Sequence, residues 1–247
     1  MERHNRFFAE DLCSETVALS VAESHHAMHV LRMRSGDAVE LFDGCGQVAD
    51  GRIAETRRGR VSVRVMSRRQ APARPRPVIH LAFAVPKGKR LDWLLEKASE
   101  LAVASLTPVS LEHSVVEPGE LAGSKRERWV GHCTAAAKQS GLNWLPELRE
   151  PLALPEFLRR FDKTGAAGLA GSASPKAVSV REALAFWSSR EAGEVHLLVG
   201  PEGGMTDSEY AAAEEAGFVQ ARIGSTTLRV ETACVAMVSA VTALLEA

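Results

Sequence analysis

The first 70 residues contain short runs in which apolar and polar positions alternate, the pattern of β-strands with one buried face. In residues 60–65, Val61, Val63 and Val65 point to one side and polar side chains point to the other. Further strands are predicted at residues 17–21, 37–42 and 47–53. Residues 23–31 are compatible with one short helix. Several short strands joined by tight turns favour a small β-barrel.

The pattern changes at residues 70–77, where three prolines stiffen the chain and cannot continue a sheet. We therefore predict two domains, residues 1–72 and residues 73–247. In the second domain, apolar runs suited to buried strands alternate with helical periodicity, which predicts an α/β fold. The predicted strands are 78–85, 106–109, 166–170, 195–199 and 221–223, and the predicted helices are 91–102, 126–141, 206–216 and 231–246.

The last predicted helix, residues 231–246, is rich in alanine and apolar on nearly all sides. A helix of this kind is buried in a core or in a dimer interface. Its apolar stretch of 14 residues, 232–245, is too short to span a bilayer. The first residues, Met-Glu-Arg-His-Asn-Arg, lack the apolar segment of a signal peptide. We therefore expect a cytoplasmic protein.

Two glycine-bearing loops follow predicted strands. Residues 197–204 read Leu-Leu-Val-Gly-Pro-Glu-Gly-Gly and lead into a helix with a capping box, Thr206 and Glu209. Residues 223–232 bring a glycine, several hydroxyls, Arg229 and Glu231 to the start of the last helix. Neither loop matches a dinucleotide fingerprint or a P-loop. Ligands of α/β proteins bind at the carboxyl ends of strands, and two glycine-bearing loops together favour a binding site, with tight turns that hold no ligand as the alternative.

Both loops belong to longer segments that carry a resemblance to a known family, and three further segments of this kind lie earlier in the chain. They read Leu-Leu-Val-Gly-Pro-Glu-Gly-Gly-Met-Thr-Asp-Ser-Glu (197–209), Ile-Gly-Ser-Thr-Thr-Leu-Arg-Val-Glu-Thr-Ala (223–233), Lys-Ala-Ser-Glu-Leu-Ala (97–102), Lys-Gln-Ser-Gly-Leu-Asn-Trp-Leu-Pro-Glu-Leu (138–148) and His-Val-Leu-Arg-Met-Arg-Ser-Gly-Asp (29–37). The sequence resembles the RsmE family, the 16S rRNA uridine N3-methyltransferases of the SPOUT superfamily.

The resemblance implies a PUA-like N-terminal β-barrel and a C-terminal SPOUT-type α/β domain with a deep trefoil knot. It also implies a homodimer that binds S-adenosylmethionine in three loops, largely through backbone atoms. Carried over by position, the cofactor-binding residues are Leu169, Ala170, Val199, Gly200, Pro201, Glu202, Gly203, Gly204, Ile223, Gly224, Ser225, Thr227 and Leu228.

The implied reaction transfers a methyl group to N3 of a specific uridine near the 3′ end of 16S rRNA in the small ribosomal subunit. N3 carries a proton and becomes a good nucleophile only when that proton leaves. Arg229 is the candidate for stabilising the uridine anion, and Glu231 for orienting Arg229 or accepting the proton. The expected RNA-binding residues are Arg3, Arg6, Arg32, Arg34, Lys87, Lys138, Gln139 and Asn143.

The chain departs from the usual pattern of the family at His113, Leu142 and Thr226, where an arginine is usual. Three alternatives therefore stay open. The first is a divergent SPOUT protein with another RNA target, and the second is a non-catalytic RNA-binding module. The third, a small-molecule α/β enzyme, has no supporting motif beyond the generic loops.

Charge is spread unevenly along the chain. The formal net charge is −1, which by itself argues against nucleic acid as a partner. Residues 52–76, however, contain nine arginines and one acidic residue. Such a cluster is typical of nucleic-acid binding, although a solvated barrel face is the alternative.

Four cysteines at wide spacing indicate neither a zinc cluster nor a disulfide framework. None of the eight histidines has the spacing of a metal-ligand motif. The sequence therefore predicts no metal.

Overall fold

A computed structural model describes residues 5–57, 59–115, 124–161, 166–187 and 193–245, and for residues 124 and 125 it describes the backbone only. It divides into two compact units. The first comprises Met1–Ala73 and Ala137–Leu145, and the second Arg74–Ala136 and Pro146–Ala247. In the described residues, no helix is both long and apolar enough to cross a membrane.

The first unit is built on a five-stranded sheet with the order β1-β3-β4-β5-β2. Strand β1 is parallel to β3, and the other neighbours are antiparallel. A single π-helical turn, His26–Val30, follows α1. The elements are β1 (Asn5–Phe8), β2 (Thr16–Ala18), α1 (Val21–His25), β3 (Ala38–Phe42), β4 (Gln47–Arg57) and β5 (Arg60–Gln70).

The predicted alternation in β5 is confirmed, because Val61 and Val63 are buried in the main core of this unit. Strands β4 and β5 run further than predicted, to Arg57 and Gln70, because hairpin pairing continues after the apolar pattern ends. The strand predicted at 17–21 is shorter than expected. Ser20 ends it, since its hydroxyl accepts a hydrogen bond from the Glu23 amide and caps α1.

A second apolar cluster of this unit depends on residues from far along the chain. Phe42, Val48 and Ala71 pack with Ala137, and Leu142 and Leu145 cover the cluster. Residues 137–145 thus supply part of the core of the first unit.

The second unit is an α/β structure around a parallel sheet with the order β11-β13-β10-β12-β6-β7-β8, in which β9 also pairs with β7. Its first half contains β6 (Val78–Phe83), α2 (Lys89–Glu100), β7 (Ser105–Ser110), α3 (Ser124–Ser140), β8 (Glu147–Leu148), β9 (Leu152–Ala153) and α4 (Leu154–Arg160). Its second half contains β10 (Ala166–Gly171), β11 (Val178–Ser179), α5 (Val180–Ala185), β12 (Glu194–Val199), α6 (Asp207–Glu215), β13 (Phe218–Arg222) and α7 (Val230–Leu245). The last turn of α3, from Ala137 onwards, belongs to the first unit.

Strand β10 consists of alanine, glycine and a single leucine, and two large rings pack on it at Gly168. A Cβ atom at Gly168 would lie 3.0 Å from ring atoms of both Phe161 and Phe218. Helix α7 has one fully buried side, and its other residues are half-buried or exposed in the single chain. It therefore has a surface that a second copy would cover if the expected homodimer forms.

Candidate functional site

Three loops meet at one edge of the parallel sheet. Strands β13, β10 and β12 are neighbours in that order, so their carboxyl ends lie side by side. The chain passes from β10 to β12 on one side and then returns to β13 on the other side of β10. This reversal is a topological switch point, the place where open α/β sheets bind ligands.

The glycine-rich turn after β12 is compact and needs small residues. The Gly204 amide donates to the Pro201 carbonyl across 2.8 Å, and Gly204 adopts a φ of +77° that side chains disfavour. A Cβ atom at Gly200 would lie 2.8 Å from Cγ of Met205. The turn is thus held by backbone contacts, and its peptide groups line the edge of the cleft.

The capping box predicted at the start of α6 is confirmed. The Thr206 amide donates to Glu209 across 2.8 Å, and the Glu209 amide donates to the Thr206 hydroxyl across 3.3 Å. One turn into the helix, the Tyr210 hydroxyl donates to the Gly171 carbonyl across 3.0 Å. This bond links α6 to the end of β10 and fixes two of the three loops against each other.

The third loop, residues 223–228, closes the cleft on its exposed side. Ile223 to Thr227 are exposed and Leu228 is half-buried. The cleft has a volume of about 100 Å³. Pockets for small molecules span roughly 300–1,000 Å³, so the cleft is smaller than a typical ligand pocket.

Most of the cofactor-binding residues expected from the resemblance line this cleft. Those that do are Val199, Gly200, Pro201, Glu202, Gly204, Ile223, Gly224, Thr227 and Leu228. Four others do not line it, namely Leu169, Ala170, Gly203 and Ser225.

The first loop lies one to three residues further along the chain than expected. Leu169 and Ala170 are fully buried inside β10, and Gly171, Ser172 and Ala173 line the cleft instead. Tyr210 and Met237 line it as well and were not predicted. The capping box predicts the helix that contains Tyr210 but not that its side chain faces the cleft. Met237 lies in an apolar predicted helix, and nothing in the sequence marks it as a cleft residue.

The two expected catalytic residues differ sharply in exposure. Arg229 is exposed, whereas Glu231 is 8% exposed in the first turn of α7. Glu231 Oε2 is buried without a hydrogen-bond partner among the described residues, and Oε1 lies 3.9 Å from Nε of Arg90. Arg90 also contacts Glu202, with 3.3 Å between Nη1 and Oε1. Arg90 was not predicted, because its only signal in the sequence is the basic run that follows β6.

Two expected RNA-binding residues of the first unit are held by protein groups. The Arg6 side chain donates to the carbonyls of Ala137 and Leu142, hydrogen-bonds Asn143, and pairs with Glu40 across 2.6 Å. Burial lowers the pKa of Arg6, and the carboxylate of Glu40 opposes that shift. Arg6 and Asn143 therefore have a structural role in the first unit, and RNA contact by either stays a prediction.

Lys138 is engaged in a similar way. Its ammonium group contacts both carboxylate oxygens of Glu23, at 2.9 and 2.7 Å, and lies 5.2 Å from the Phe7 ring centroid. Arg32, Arg34, Lys87 and Gln139 are exposed, as RNA contact requires. Arg3 lies outside the described residues.

The arginine-rich segment is partly neutralised in the fold. Arg68 donates to the carbonyls of residues 12, 13 and 14, and Arg69 pairs with Glu40 and Asp50. Arg60 and Arg64 are exposed on β5. The basic surface is therefore smaller than the count of arginines indicated, and Arg58 lies outside the described residues.

The three positions where the family usually has an arginine have separate environments. Thr226 lines the cleft, and Leu142 packs against the second apolar cluster of the first unit. The His113 Nδ1 atom lies 3.1 Å from the Gly204 carbonyl, beside the glycine-rich turn. Two of the three substitutions thus border the candidate site.

Family models match both parts of the chain. Residues 73–242 match an RNA methyltransferase domain, and residues 19–66 match an RNA methyltransferase PUA domain. A ribosomal RNA small subunit methyltransferase E from a Synechocystis species is 30% identical over 96% of this chain and 76% of that protein. The protein of the same name from Bacillus subtilis is 30% identical over 92% of this chain and 89% of its own length.

Solved structures agree with this family. A protein of Legionella pneumophila described as a methyltransferase, solved with S-adenosylmethionine, has a TM-score of 0.85 and 30% identity over 98% of both chains. A small subunit methyltransferase E of Neisseria gonorrhoeae, bound to the same cofactor, has a TM-score of 0.84 and 28% identity over 98% of both chains. The chain belongs to the ribosomal RNA small subunit methyltransferase E family of RNA methyltransferases. The expected α/β fold with a PUA-like N-terminal part is confirmed, and the knot stays a prediction.

Proposed function

We propose that this protein transfers the methyl group of S-adenosylmethionine to N3 of a uridine near the 3′ end of 16S rRNA in the small ribosomal subunit. The observation that carries the proposal is the cleft at the ends of β10, β12 and β13, which is lined by most of the residues that the family resemblance assigns to the cofactor. Two relatives with the same overall fold are described with that cofactor bound.

The cleft offers the contacts that a nucleoside needs. Backbone groups of the turn at 200–204 supply hydrogen-bond donors and acceptors, and Leu228, Met205 and Met237 supply apolar surface for a purine ring. Bound S-adenosylmethionine supplies an electrophilic methyl group on a sulfonium sulfur. The residues of the chain must hold that group in line with the uridine nitrogen, because such orientation lowers the barrier to transfer.

Arg229 stabilises the negative charge that develops on a uracil carbonyl oxygen as the N3 proton leaves. Its exposed guanidinium directly follows the loop that closes the cleft, so it can reach a base brought in from solvent. Glu231 is buried near Arg90, which favours a positioning role over direct contact with RNA. Removing a single donor that stabilises an oxyanion costs about 10²–10³ in turnover.

The first unit provides an RNA platform through exposed cations that include Arg32, Arg34, Arg60 and Arg64. Phosphate contacts of this kind position a nucleic acid without reading its sequence. The partly exposed side of α7 provides the homodimer contact. Since the proposed substrate is ribosomal, we place the protein in the cytoplasm, with a domain boundary near residue 73.

The deciding experiment incubates the protein with purified small ribosomal subunits and labelled S-adenosylmethionine, followed by mass spectrometry of nuclease-digested rRNA. We expect 3-methyluridine near the 3′ end. Arg229→Ala should lower turnover about 10²–10³-fold and leave cofactor affinity nearly unchanged. Arg181→Ala, on the exposed side of α5, is the control and should behave as the wild type.

Other outcomes point to the alternatives. A different methylated nucleoside would indicate another RNA target. Cofactor binding without methyl transfer to any RNA would indicate a non-catalytic module, and unaltered turnover in Arg229→Ala would remove that residue from the mechanism.

A further inference from the structure

Three side chains that the proposed reaction does not use meet on the parallel sheet of the second unit. His80 lies on β6, and Glu194 and His196 lie on the neighbouring strand β12. His80 and His196 are register partners, and Glu194 is two residues from His196 on the same face. The two imidazole rings stack with centroids 4.5 Å apart and planes inclined by 26°.

The potential ligand atoms of this group lie close together. Nε2 of His80 is 3.5 Å from Oε2 of Glu194, and Nε2 of His196 is 4.0 Å from the same oxygen. One ligand atom from each residue lies within 4.8 Å of the others. Ligands of tetrahedral zinc, with bonds of 2.0–2.2 Å, are separated by about 3.4 Å. The two nitrogen–oxygen distances of 3.5 and 4.0 Å are close to that value, and the two imidazoles must turn out of their stack for both nitrogens to face one ion.

His80 is held in an orientation that suits a metal ligand. Its Nδ1 atom lies 2.7 Å from the Ser105 hydroxyl, which fixes the ring and leaves Nε2 directed towards Glu194. A hydrogen bond from the second ring nitrogen is the usual support of a metal-binding histidine. Nε2 of His80 is buried and has no hydrogen-bond partner among the described residues. A buried polar atom of this kind needs a partner.

Both imidazoles are largely buried, and metal ions bind the neutral form of an imidazole. The carboxylate of Glu194 is half exposed and supplies the negative charge that a divalent cation requires.

We propose that His80, Glu194 and His196 form a binding site for one divalent ion of the zinc class. Two imidazoles and one carboxylate are a donor set that zinc accepts, with a fourth position left for water. The sequence predicted no metal because these residues come from two strands far apart in the chain, and no local motif joins them. The site lies outside the cofactor cleft, since four extended residues separate His196 from Gly200, a distance of about 13 Å. Its role is therefore structural, because a bound ion would connect β6 to β12.

The charges around the site are nearly balanced. Arg149 lies beside it and pairs with Glu147 across 2.9 Å. His196 also lines a cavity of about 400 Å³ with Arg126 and Arg160, which pair with Glu150 and Glu156. Cations that are already paired repel a metal ion less than free ones, and the cavity gives an ion a route from solvent.

The test is calorimetric titration of the full chain with zinc in a Cys13→Ser/Cys45→Ser background, which removes the two exposed thiols. The remaining cysteines are buried and do not compete. We expect one saturable site per chain and a thermal midpoint that rises with zinc concentration until the site is full. Ser105→Ala should weaken zinc binding about 10- to 100-fold by loosening His80.

Glu194→Gln and His196→Gln should each abolish the saturable phase. Glu194 has an exposed side chain, so its replacement keeps the fold, and thermal melts without zinc verify this. The matched control is His25→Gln/His29→Gln, a histidine pair on the first unit with ring centroids 4.7 Å apart, which should leave binding unchanged. Absence of saturable binding in the Cys-substituted chain, or full binding in Glu194→Gln, would overturn the proposal.

Discussion

The guanidinium of Arg90 contacts the carboxylate of Glu202, with 3.3 Å between Nη1 and Oε1. This contact joins the start of α2 to the glycine-rich turn of the candidate cofactor cleft. The same guanidinium lies 3.9 Å from Glu231 at the start of α7. One side chain thus links three elements around the candidate active site, and two of its neighbours are carboxylates that would otherwise repel each other.

Replacing Arg90 should therefore disturb the site without unfolding the protein. Arg90 and Glu202 are each about 40% exposed, so their own pair stabilises the fold by no more than about 1 kcal/mol. Arg90→Ala also leaves Glu231 without its nearby positive charge. We expect lower turnover and weaker cofactor binding, with Arg90→Lys restoring part of both. Calorimetry with S-adenosylmethionine and the methylation assay measure the two effects, and wild-type values for Arg90→Ala would exclude the link.

Two glycines of the first unit share a φ of +94° but differ in their surroundings. A Cβ atom at Gly46 would lie 2.3 Å from the Trp144 ring, whereas Gly36 has open space around it. The left-handed conformation alone costs alanine about 1–2 kcal/mol. Gly46→Ala should cost about 1–3 kcal/mol more than Gly36→Ala because the indole must move. Urea unfolding of both variants measures the difference in the free energy of unfolding. Equal decreases in the two variants would show that the Trp144 ring moves aside at little cost.

Arginines of β5 should separate into two groups in RNA binding. Arg60 and Arg64 are exposed, whereas the Arg68 guanidinium donates hydrogen bonds to three backbone carbonyls. Each lost phosphate contact lowers the salt slope of log K by about 1. Arg60→Ala/Arg64→Ala should therefore reduce the slope by about 2. Arg68→Ala should lower the thermal midpoint and leave the slope nearly unchanged. Binding isotherms at several salt concentrations test this, and an unchanged slope in the double variant would place the RNA elsewhere.

The four cysteines should react in two stages. Cys13 and Cys45 are exposed, and Cys133 and Cys234 are buried. Burial raises the pKa of Cys133 to about 11 and also raises that of Cys234. Because the thiolate is the reactive form, the two buried thiols stay protonated and inaccessible at pH 8. A colorimetric thiol count should give two per native chain and four in denaturant. A native count of four would show that α3 and α7 open readily.

The reactivity of Cys13 should depend on pH. A hydrogen bond to Asp11, together with the negative charge of that residue, raises the pKa of Cys13. We therefore expect Cys13 to react slowly below pH 9 and faster as the pH rises. Peptide mass spectrometry after timed labelling follows this site, and a rate independent of pH would contradict the prediction.

The sequence predicted most of the second unit because its signals are local. The capping box at Thr206 and the apolar runs of β6, β10 and β12 each lie within one segment, and the structure confirms them. Strand β13 begins at Phe218 and not at residue 221 as predicted. Its first residues are held by pairing with β10, and they do not show the alternation of apolar and polar residues that marks a strand in the sequence. Strands β8, β9 and β11 were missed because each is only two residues long, too short to show an alternating pattern.

Contacts between distant segments could not be read from the sequence. Arg6 resembled a free cation in the sequence, yet its partners include Leu142, 136 positions along the chain. Nε1 of Trp144 donates to the Pro72 carbonyl across 3.0 Å, 72 positions earlier in the chain. Arg90 was missed for the same reason, since its carboxylate partners lie much later in the chain, Glu202 in the turn after β12 and Glu231 in the first turn of α7.

The dependence of the first unit on residues 137–145 sets an order for folding during synthesis. When the ribosome has released only the N-terminal strands, the cluster around Phe42 and Val48 lacks Ala137, Leu142 and Leu145 and stays open to solvent. N-terminal domains usually fold first as they emerge, but here the second apolar cluster of the first unit closes only when about twice the length of its N-terminal part has been synthesised. Exposed apolar surface during this interval is a site for chaperone binding, and a fragment cut at residue 73 would aggregate.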